Sequence, residues 1–306
     1  MAKVIVFGGS GFLGSYVCDE LFKRGFQVHI ADINTSDYLK SGMVFHNIDL
    51  EDSESIEKLF ADSSFEYVFN FAGLADINIA FNEPVLAIQQ NVIGNLNLLN
   101  VVVKHSVKRY IYASSAYANS SKGSFYGISK LCSEKIIEEY SSRYQMDFTI
   151  VRYGSLYGDR ANHHNGVYRM LHAALSNGKI KHIGNGSEVR EYIHAADAAR
   201  LSVDVMSQEK YKNRHLILTG VERLEQKDLL RMIQEIMDNK IEIEYSNESH
   251  QGHYEVTPYS FRPVTGLKLA ANPYIDMGQG LLDCLHVIHK DIQNQDSNTK
   301  VMTSSL

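Results

Sequence analysis

Short apolar runs alternate with longer amphipathic segments through the first half of the chain. Six runs have the length and the β-branched or aromatic content of buried strands: Lys3–Phe7, Gln27–Ala31, Met43–Asn47, Glu66–Phe71, Lys108–Ser114 and Asp147–Arg152. Apolar residues recur at helical spacing in Phe12–Arg24, Ser53–Ala61, Pro84–His105 and Phe125–Tyr144. Because strands that alternate with helices form parallel sheets covered on both faces, the pattern predicts an α/β fold with a doubly wound parallel sheet.

The alternation becomes less regular after residue 158. Helices are predicted at Gly166–Ser176, Ala195–Ser207 and Gln226–Met237, and short strands at Val189–Ile193, Leu216–Leu218 and Ile241–Tyr245. We therefore expect a first domain of residues 1–158 and a smaller α/β lobe of residues 159–289 that is partly interleaved with it. The polar residues 290–306 are expected to form a disordered tail.

Composition and charge argue against several classes of protein. The 306 residues carry a net charge of −6 and no basic run, so a surface for nucleic acid is not expected. The apolar runs are too short to span a membrane, and the first residues lack a secretory pattern. Three widely spaced cysteines favour a reduced, cytoplasmic chain. His163 and His164 have no further ligands at metal spacing, and no metal is expected.

A glycine-rich segment joins the first strand to the first helix: Gly8-Gly9-Ser10-Gly11-Phe12-Leu13-Gly14. Glycine permits a tight turn and lets the backbone approach a pyrophosphate, while the helix N-terminus directs N–H groups and a positive dipole end toward it. Asp32 ends the second strand, where a carboxylate can bind both ribose hydroxyls of NAD and repel the 2′-phosphate of NADP. No Arg or Lys follows directly in residues 33–36. The combination predicts an NAD site.

Asp49 and Leu50 follow the third predicted strand, where a contact with adenine is expected. An alternative role for Asp49 is to cap the helix that begins at Ser53. The sequence does not decide between the two.

Tyr126 and Lys130 are four residues apart at the start of a predicted helix and therefore share one face. An ammonium beside a phenol favours the phenolate, which can remove a proton from a sugar hydroxyl. The fifth strand ends at Ser114-Ser115, where a hydroxyl can bridge the substrate oxygen and the tyrosine. The Tyr-x-x-x-Lys pattern is significant because it follows this strand. In a chain with 18 tyrosines the pattern alone can match by chance.

Together with the segment Val189-Arg190-Glu191-Tyr192-Ile193-His194-Ala195-Ala196-Asp197, these motifs resemble the extended short-chain dehydrogenase/reductase family, from about Lys3 to Gly280. That family has a Rossmann fold and includes nucleotide-sugar epimerases, dehydratases and dehydrogenases. The resemblance implies a catalytic Ser115, Tyr126 and Lys130, with Tyr126 and Lys130 also touching the cofactor. It further implies an NAD site that includes Gly8, Gly11, Phe12, Leu13, Gly14, Asp32, Asp49, Leu50, Phe71, Ala72, Gly73, Asn91 and Tyr153. For the substrate it implies Ser155, Arg190 as a diphosphate ligand and Arg262 as a second one. It also implies a homodimer formed through the two long helices.

Departures from the family pattern narrow the expected chemistry. The 4,6-dehydratases of the family carry an acidic pair directly after the catalytic Ser or Thr, whereas this chain has Ala116 and Tyr117. Asn is usual where Ser155 stands, so the contact with the substrate phosphate is expected to differ. The segment from Ala116 to Phe125 is short and lacks proline, which suggests an open or large sugar pocket.

The sequence thus predicts NAD-dependent redox chemistry at C4 of a nucleotide-linked sugar, by a 4-dehydrogenase or a 4-epimerase. A faint likeness to GDP-linked heptose-modifying relatives makes a GDP-linked heptose or hexose one candidate substrate. The alternatives are a 4-keto sugar reductase and a non-catalytic, NAD-sensing regulator of the same fold. A 4,6-dehydratase is disfavoured.

Overall fold

The structure is a computed structural model and describes residues 1–221, 223–246, 267–270 and 275–303. In chain order its elements are β1 (Lys3–Phe7), α1 (Phe12–Lys23), β2 (Gln27–Asp32), β3 (Val44–Asn47), α2 (Ser53–Asp62), β4 (Tyr67–Asn70), α3 (Ile77–Asn82), α4 (Pro84–Ile88), α5 (Gly94–Val102), β5 (Arg109–Ser115), α6 (Ser124–Tyr144), β6 (Phe148–Tyr153), β7 (Ser155–Tyr157), α7 (Gly166–Asn177), β8 (Lys179–Ile183), β9 (Val189–His194), α8 (Ala195–Met206), β10 (Arg214–Thr219), β11 (Arg223–Glu225), α9 (Gln226–Ile236), β12 (Glu242–Ser246), β13 (Leu267–Ala270) and α10 (Met277–Thr303).

Eight parallel strands form the central sheet, in the order β13-β10-β6-β5-β4-β1-β2-β3. The chain moves outward from β1 in one direction through β2 and β3, then returns to place β4 on the other side of β1. This reversal opens a crevice beyond the carboxyl ends of β1 and β4, which is where open α/β sheets bind nucleotides. The predicted doubly wound α/β fold is confirmed.

Alternation along β1 shows how the sheet is covered on both faces. Val4 and Val6 enter the apolar core that includes α1 and α8, while Ile5 and Phe7 enter the core that includes α2, α5 and α6. All four side chains are at most 1% exposed. Since side chains alternate across a strand, a strand buried on both faces must be apolar throughout. Each such side chain contributes about 1.5–3 kcal/mol on burial.

The second half of the chain contributes to both parts of the fold. Its α8, β10 and β13 complete the central sheet and one of its layers. A third apolar core includes residues of α7, α9 and α10. Beside it lie a three-stranded sheet, β11-β9-β7, and a two-stranded sheet, β12-β8. The strands β7, β8, β11 and β13 were not predicted from the sequence.

Two helices differ from the sequence prediction. The single helix expected at Pro84–His105 is divided by a π-helical turn at Gln89–Ile93. The helix α10 continues to Thr303 through residues expected to be a disordered tail, because no glycine or proline follows Gly280 to break it. Among the described residues, no helix combines the length and the apolar content that crossing a membrane requires.

Candidate active site

The glycine-rich turn after β1 is packed too tightly for larger residues. Gly8 has a φ of +74°, and a Cβ there would lie 2.6 Å from the backbone nitrogen of Ala72. A Cβ on Gly14 would lie 2.1 Å from the carbonyl oxygen of Gly8. Gly11 is the N-cap residue of α1 and, having no side chain, makes no capping hydrogen bond to the helix. The turn therefore leaves a helix N-terminus available for a phosphate group.

Asp32 is fixed at the end of β2 beside this turn. Its carboxylate accepts hydrogen bonds from the backbone N–H groups of Ser10, at 3.0 Å, and Asn34, at 3.1 Å. The Ser10 hydroxyl is buried and has no hydrogen-bond partner among the described residues. A buried hydroxyl in a phosphate-binding turn fits a bound dinucleotide, whose oxygens would supply the missing partner. Sequence reasoning did not single out Ser10.

Asp49 and Leu50 lie near the carboxyl end of β3. Asp49 accepts the backbone N–H of Glu51 at 2.9 Å, whereas Asp52 caps α2 by accepting the N–H of Ser55. The helix cap considered for Asp49 is therefore supplied by Asp52. Leu50 is buried against α5.

The loop after β4 is held between the glycine-rich turn and α6. Phe71 and Ala72 pack against Gly8, and Gly73 lies against the side chain of Asn91. Asn91 is part of the π-helical turn, and its amide donates to the carbonyl of Leu74 and to the hydroxyl of Ser129, both at 2.9 Å. Asn91 thus joins this loop to α6, which carries Tyr126 and Lys130.

Ser115, Tyr126 and Lys130 converge at the carboxyl end of β5. The Lys130 ammonium is buried, donates to the carbonyl of Ala113 at 3.0 Å and lies 5.9 Å from the centre of the Tyr126 ring. Burial lowers the pKa of Lys130 to about 8, partly opposed by the nearby carboxylate of Glu134. At neutral pH the side chain therefore remains mostly charged and can favour a phenolate at Tyr126.

The positions that follow Ser115 contain no carboxylate. Ala116 is buried, and the Tyr117 ring lies edge-on to the Tyr126 ring at 6.2 Å between centroids. The backbone N–H of Tyr117 donates to the Ser115 hydroxyl at 3.3 Å. An apolar methyl group and an aromatic ring therefore occupy the places of the acidic pair.

The two serines at the end of β5 have different surroundings. The Ser114 hydroxyl donates to the buried carboxylate of Glu134. The Ser115 hydroxyl instead accepts the backbone N–H of Tyr117, whose ring lies against that of Tyr126. The structure thus favours Ser115 over Ser114 as the serine available to a substrate.

The remaining predicted residues lie farther along the chain. Tyr153 is buried in the core, where its hydroxyl contacts that of Ser202 at 2.7 Å and its ring lies 6.2 Å from Phe71. Ser155 on β7 and Arg190 on β9 belong to the same three-stranded sheet, a grouping that the sequence did not predict. Arg262 lies outside the described residues.

The fold and the glycine-rich turn together define a class of protein, an NAD-binding enzyme. Residues 4–218 match the sequence profile of the NAD dependent epimerase/dehydratase family, and the chain belongs to that family. It is therefore an enzyme, and its cofactor is NAD.

Individual relatives cover most of the chain. A UDP-glucuronate 4-epimerase of Thermodesulfobacterium geofontis is 24% identical over 309 residues, which cover 92% of this chain and 94% of the relative. A UDP-glucose 4-epimerase of Schizosaccharomyces pombe is 25% identical over 260 residues, which cover 70% of this chain and 72% of the relative. The crystal structure of UDP-glucose 4-epimerase from Thermotoga maritima with UDP-glucose superposes with a TM-score of 0.83 at 24% identity, covering 95% of this chain and 99% of that one. The structural likeness supports the fold.

We expect the protein to bind NAD at least about tenfold more tightly than NADP, because a 2′-phosphate near Asp32 would meet a fixed negative charge. Asp32→Ala combined with Ile33→Arg should narrow this ratio. Titration calorimetry with each cofactor measures it, and Asp37→Ala in the same loop is the matched control. Equal affinity of the wild-type protein for both cofactors would contradict the role assigned to Asp32.

Proposed function

We propose that the protein is an NAD-dependent nucleotide-sugar 4-epimerase. The observation that carries the proposal is the position of Lys130, whose buried ammonium faces the Tyr126 ring at the carboxyl end of β5. Bound NAD would supply the hydride acceptor and donor for C4 of the sugar. Tyr126 takes the proton of the C4 hydroxyl as a phenolate, Lys130 stabilises the phenolate, and Ser115 donates a hydrogen bond to the reacting oxygen.

We further propose that the substrate is a UDP-linked sugar. The relatives named above are UDP-glucose and UDP-glucuronate 4-epimerases. They lend no support to the GDP-linked heptose or hexose that the sequence suggested. Arg190 on β9 and Ser155 on β7 are the described residues proposed to bind the substrate phosphates.

The test is to incubate the purified protein with UDP-glucose or UDP-glucuronic acid, and with GDP-sugars as controls. Products are identified by NMR and mass spectrometry while NADH absorbance is followed. The proposal expects the C4 epimer without net NADH. Accumulation of NADH with a 4-keto sugar would indicate a dehydrogenase instead. No change in any of these sugars, despite bound NAD, would overturn the proposed activity on them.

The same experiment tests the absence of dehydration. Elimination of water requires an acid at the C6 hydroxyl and a base at the C5 proton, and Ala116 and Tyr117 supply neither of the carboxyl groups that the 4,6-dehydratases carry there. We therefore expect no product that is lighter than the substrate by one water. Such a product would show that other residues supply the acid and the base.

We also propose that the protein forms a homodimer through α3, α4, α5 and α6. Exposed apolar side chains on α3, α4, α6 and the π-helical turn before α5 support the proposal: Phe81, Val85, Ile93, Phe125, Ile128 and Leu131. Ile128 is 57% exposed, and a charge there should oppose association. Ile128→Glu is expected to be a monomer in light scattering, and Leu282→Glu on α10 is the control. A monomeric wild-type protein would overturn the proposal.

A further inference from the structure

One arginine connects three parts of the chain next to the NAD site. The guanidinium group of Arg160 lies between two tyrosine rings, 4.2 Å from the centre of Tyr16 on α1 and 4.1 Å from the centre of Tyr38. It also forms an ion pair with Asp19 of α1 at 2.6 Å. The Arg160 side chain is 13% exposed, so its contact with the buried Tyr16 is shielded from water, whereas Tyr38 is 41% exposed and its contact is partly open to solvent.

Tyr38 belongs to the loop of residues 33–43, which connects β2 to β3 and begins directly after Asp32. The hydrogen bonds within the loop are local turns, such as those that Ser36 makes with Tyr38 and Leu39, and Met43 at its end is buried in the core that includes α1. Lys40 adds an ion pair to Asp19 at 2.9 Å. The ion pair of Lys40 with Asp19 and the stack of Tyr38 on Arg160 therefore both connect the loop to α1. The Arg160 side chain is less exposed than that of Lys40.

Arg160 is itself held in place from the other side. It follows Asp159, whose carboxylate accepts the hydroxyl of Tyr16. Burial and this carboxylate raise the pKa of Tyr16, so the hydroxyl stays a donor. The segment after β7 thereby fixes both the ring and the guanidinium group against α1.

We propose that Arg160 is a positioning residue for NAD, which holds the 33–43 loop against α1 and so keeps Asp32 and the start of the loop in place around the adenosine ribose. A planar guanidinium group can stack on two rings at once, whereas an ammonium cannot. The inference concerns the cofactor site alone and does not depend on 4-epimerisation.

The proposal predicts weaker NAD binding when the stack is broken. Arg160→Ala and Tyr38→Leu should each raise the Kd for NAD by about threefold, since a partly exposed cation–π contact is worth roughly that much. Tyr38→Phe keeps a ring and should bind NAD as the wild type does. The Kd of Arg160→Lys for NAD should lie between that of Arg160→Ala and that of the wild type, because lysine keeps the charge but not the planar group.

The experiment is a calorimetric titration of NAD into each protein after bound nucleotide has been removed with charcoal. Arg143→Ala, at an exposed arginine on α6, is the control. Limited trypsin digestion gives a second measurement, because cleavage after Lys40 should be faster in Arg160→Ala and Tyr38→Leu. Faster cleavage with an unchanged midpoint of thermal unfolding would indicate that the loop alone has been released. A lower midpoint would indicate a general loss of stability.

The proposal fails if Arg160→Ala folds, binds NAD with wild-type affinity and is cut after Lys40 at the wild-type rate. If Arg160→Ala does not fold, the comparison of Tyr38→Phe with Tyr38→Leu tests the proposal instead. Equal affinities of Tyr38→Phe and Tyr38→Leu would overturn the role of the stack. Because no sugar is present, these results stand whether or not the protein proves to be a 4-epimerase.

Discussion

Tyr126→Phe is expected to lower the turnover of the epimerisation by about 10²–10⁴-fold, the usual contribution of a general base. Phenylalanine keeps the ring that packs against Tyr117 and faces Lys130, but it cannot hold or accept the proton. The affinity for NAD should therefore stay near that of the wild type. Turnover is measured with saturating UDP-sugar, and NAD binding by calorimetry.

Tyr144→Phe is the matched control, because it makes the same change on the same helix at a side chain that is 55% exposed. It should leave turnover and NAD binding unchanged. Full turnover in Tyr126→Phe would place the base elsewhere. Loss of NAD binding together with turnover would instead assign the tyrosine a mainly structural role.

The parts of the site that could be predicted from the sequence depend on local geometry. The glycine-rich turn follows from residues next to one another in the chain, and Tyr126 and Lys130 share a face because one helical turn separates them. The order of apolar runs likewise predicts the strands from β1 to β6. Each of these signals is contained within a few turns of helix or one strand.

The remaining features depend on contacts between distant segments. Arg160 meets Tyr38 only because β7 returns the chain to α1, and no spacing in the sequence reports that approach. The π-helical turn that contains Asn91 is also hidden, because the apolar positions continue through Pro84–His105 without interruption. The strand β10 could be predicted as a strand, but its place beside β6 follows from the packing of the whole sheet.

A second such contact is a buried ion pair between α6 and β6. Arg152 donates to Glu134 through Nε, at 2.8 Å, and through Nη2, at 2.6 Å. Glu134 is fully buried and Arg152 is 3% exposed. Ser114 donates to the same carboxylate, and His215 of β10 lies 3.1 Å from the guanidinium group. The pair therefore fixes α6 against the strands one turn beyond Lys130.

Arg152→Met is expected to lower the free energy of unfolding by about 3–5 kcal/mol, because it removes the guanidinium group that pairs with the fully buried Glu134 carboxylate. Urea unfolding followed by circular dichroism measures the change. Arg143→Met removes the partner of Glu139 in an exposed ion pair on the same helix and should cost at most about 1 kcal/mol.

The double variant Glu134→Leu with Arg152→Met separates the loss of the ion pair from the cost of leaving one buried charge unpaired. It removes both charges together, so we expect it to be more stable than Arg152→Met alone, since no unpaired charge remains in the core. If the double variant were less stable than the wild type by the sum of the losses in Glu134→Leu and Arg152→Met, the two charges would not be coupled. If Arg152→Met cost no more than Arg143→Met, the buried pair would not be what aligns α6 with the central sheet.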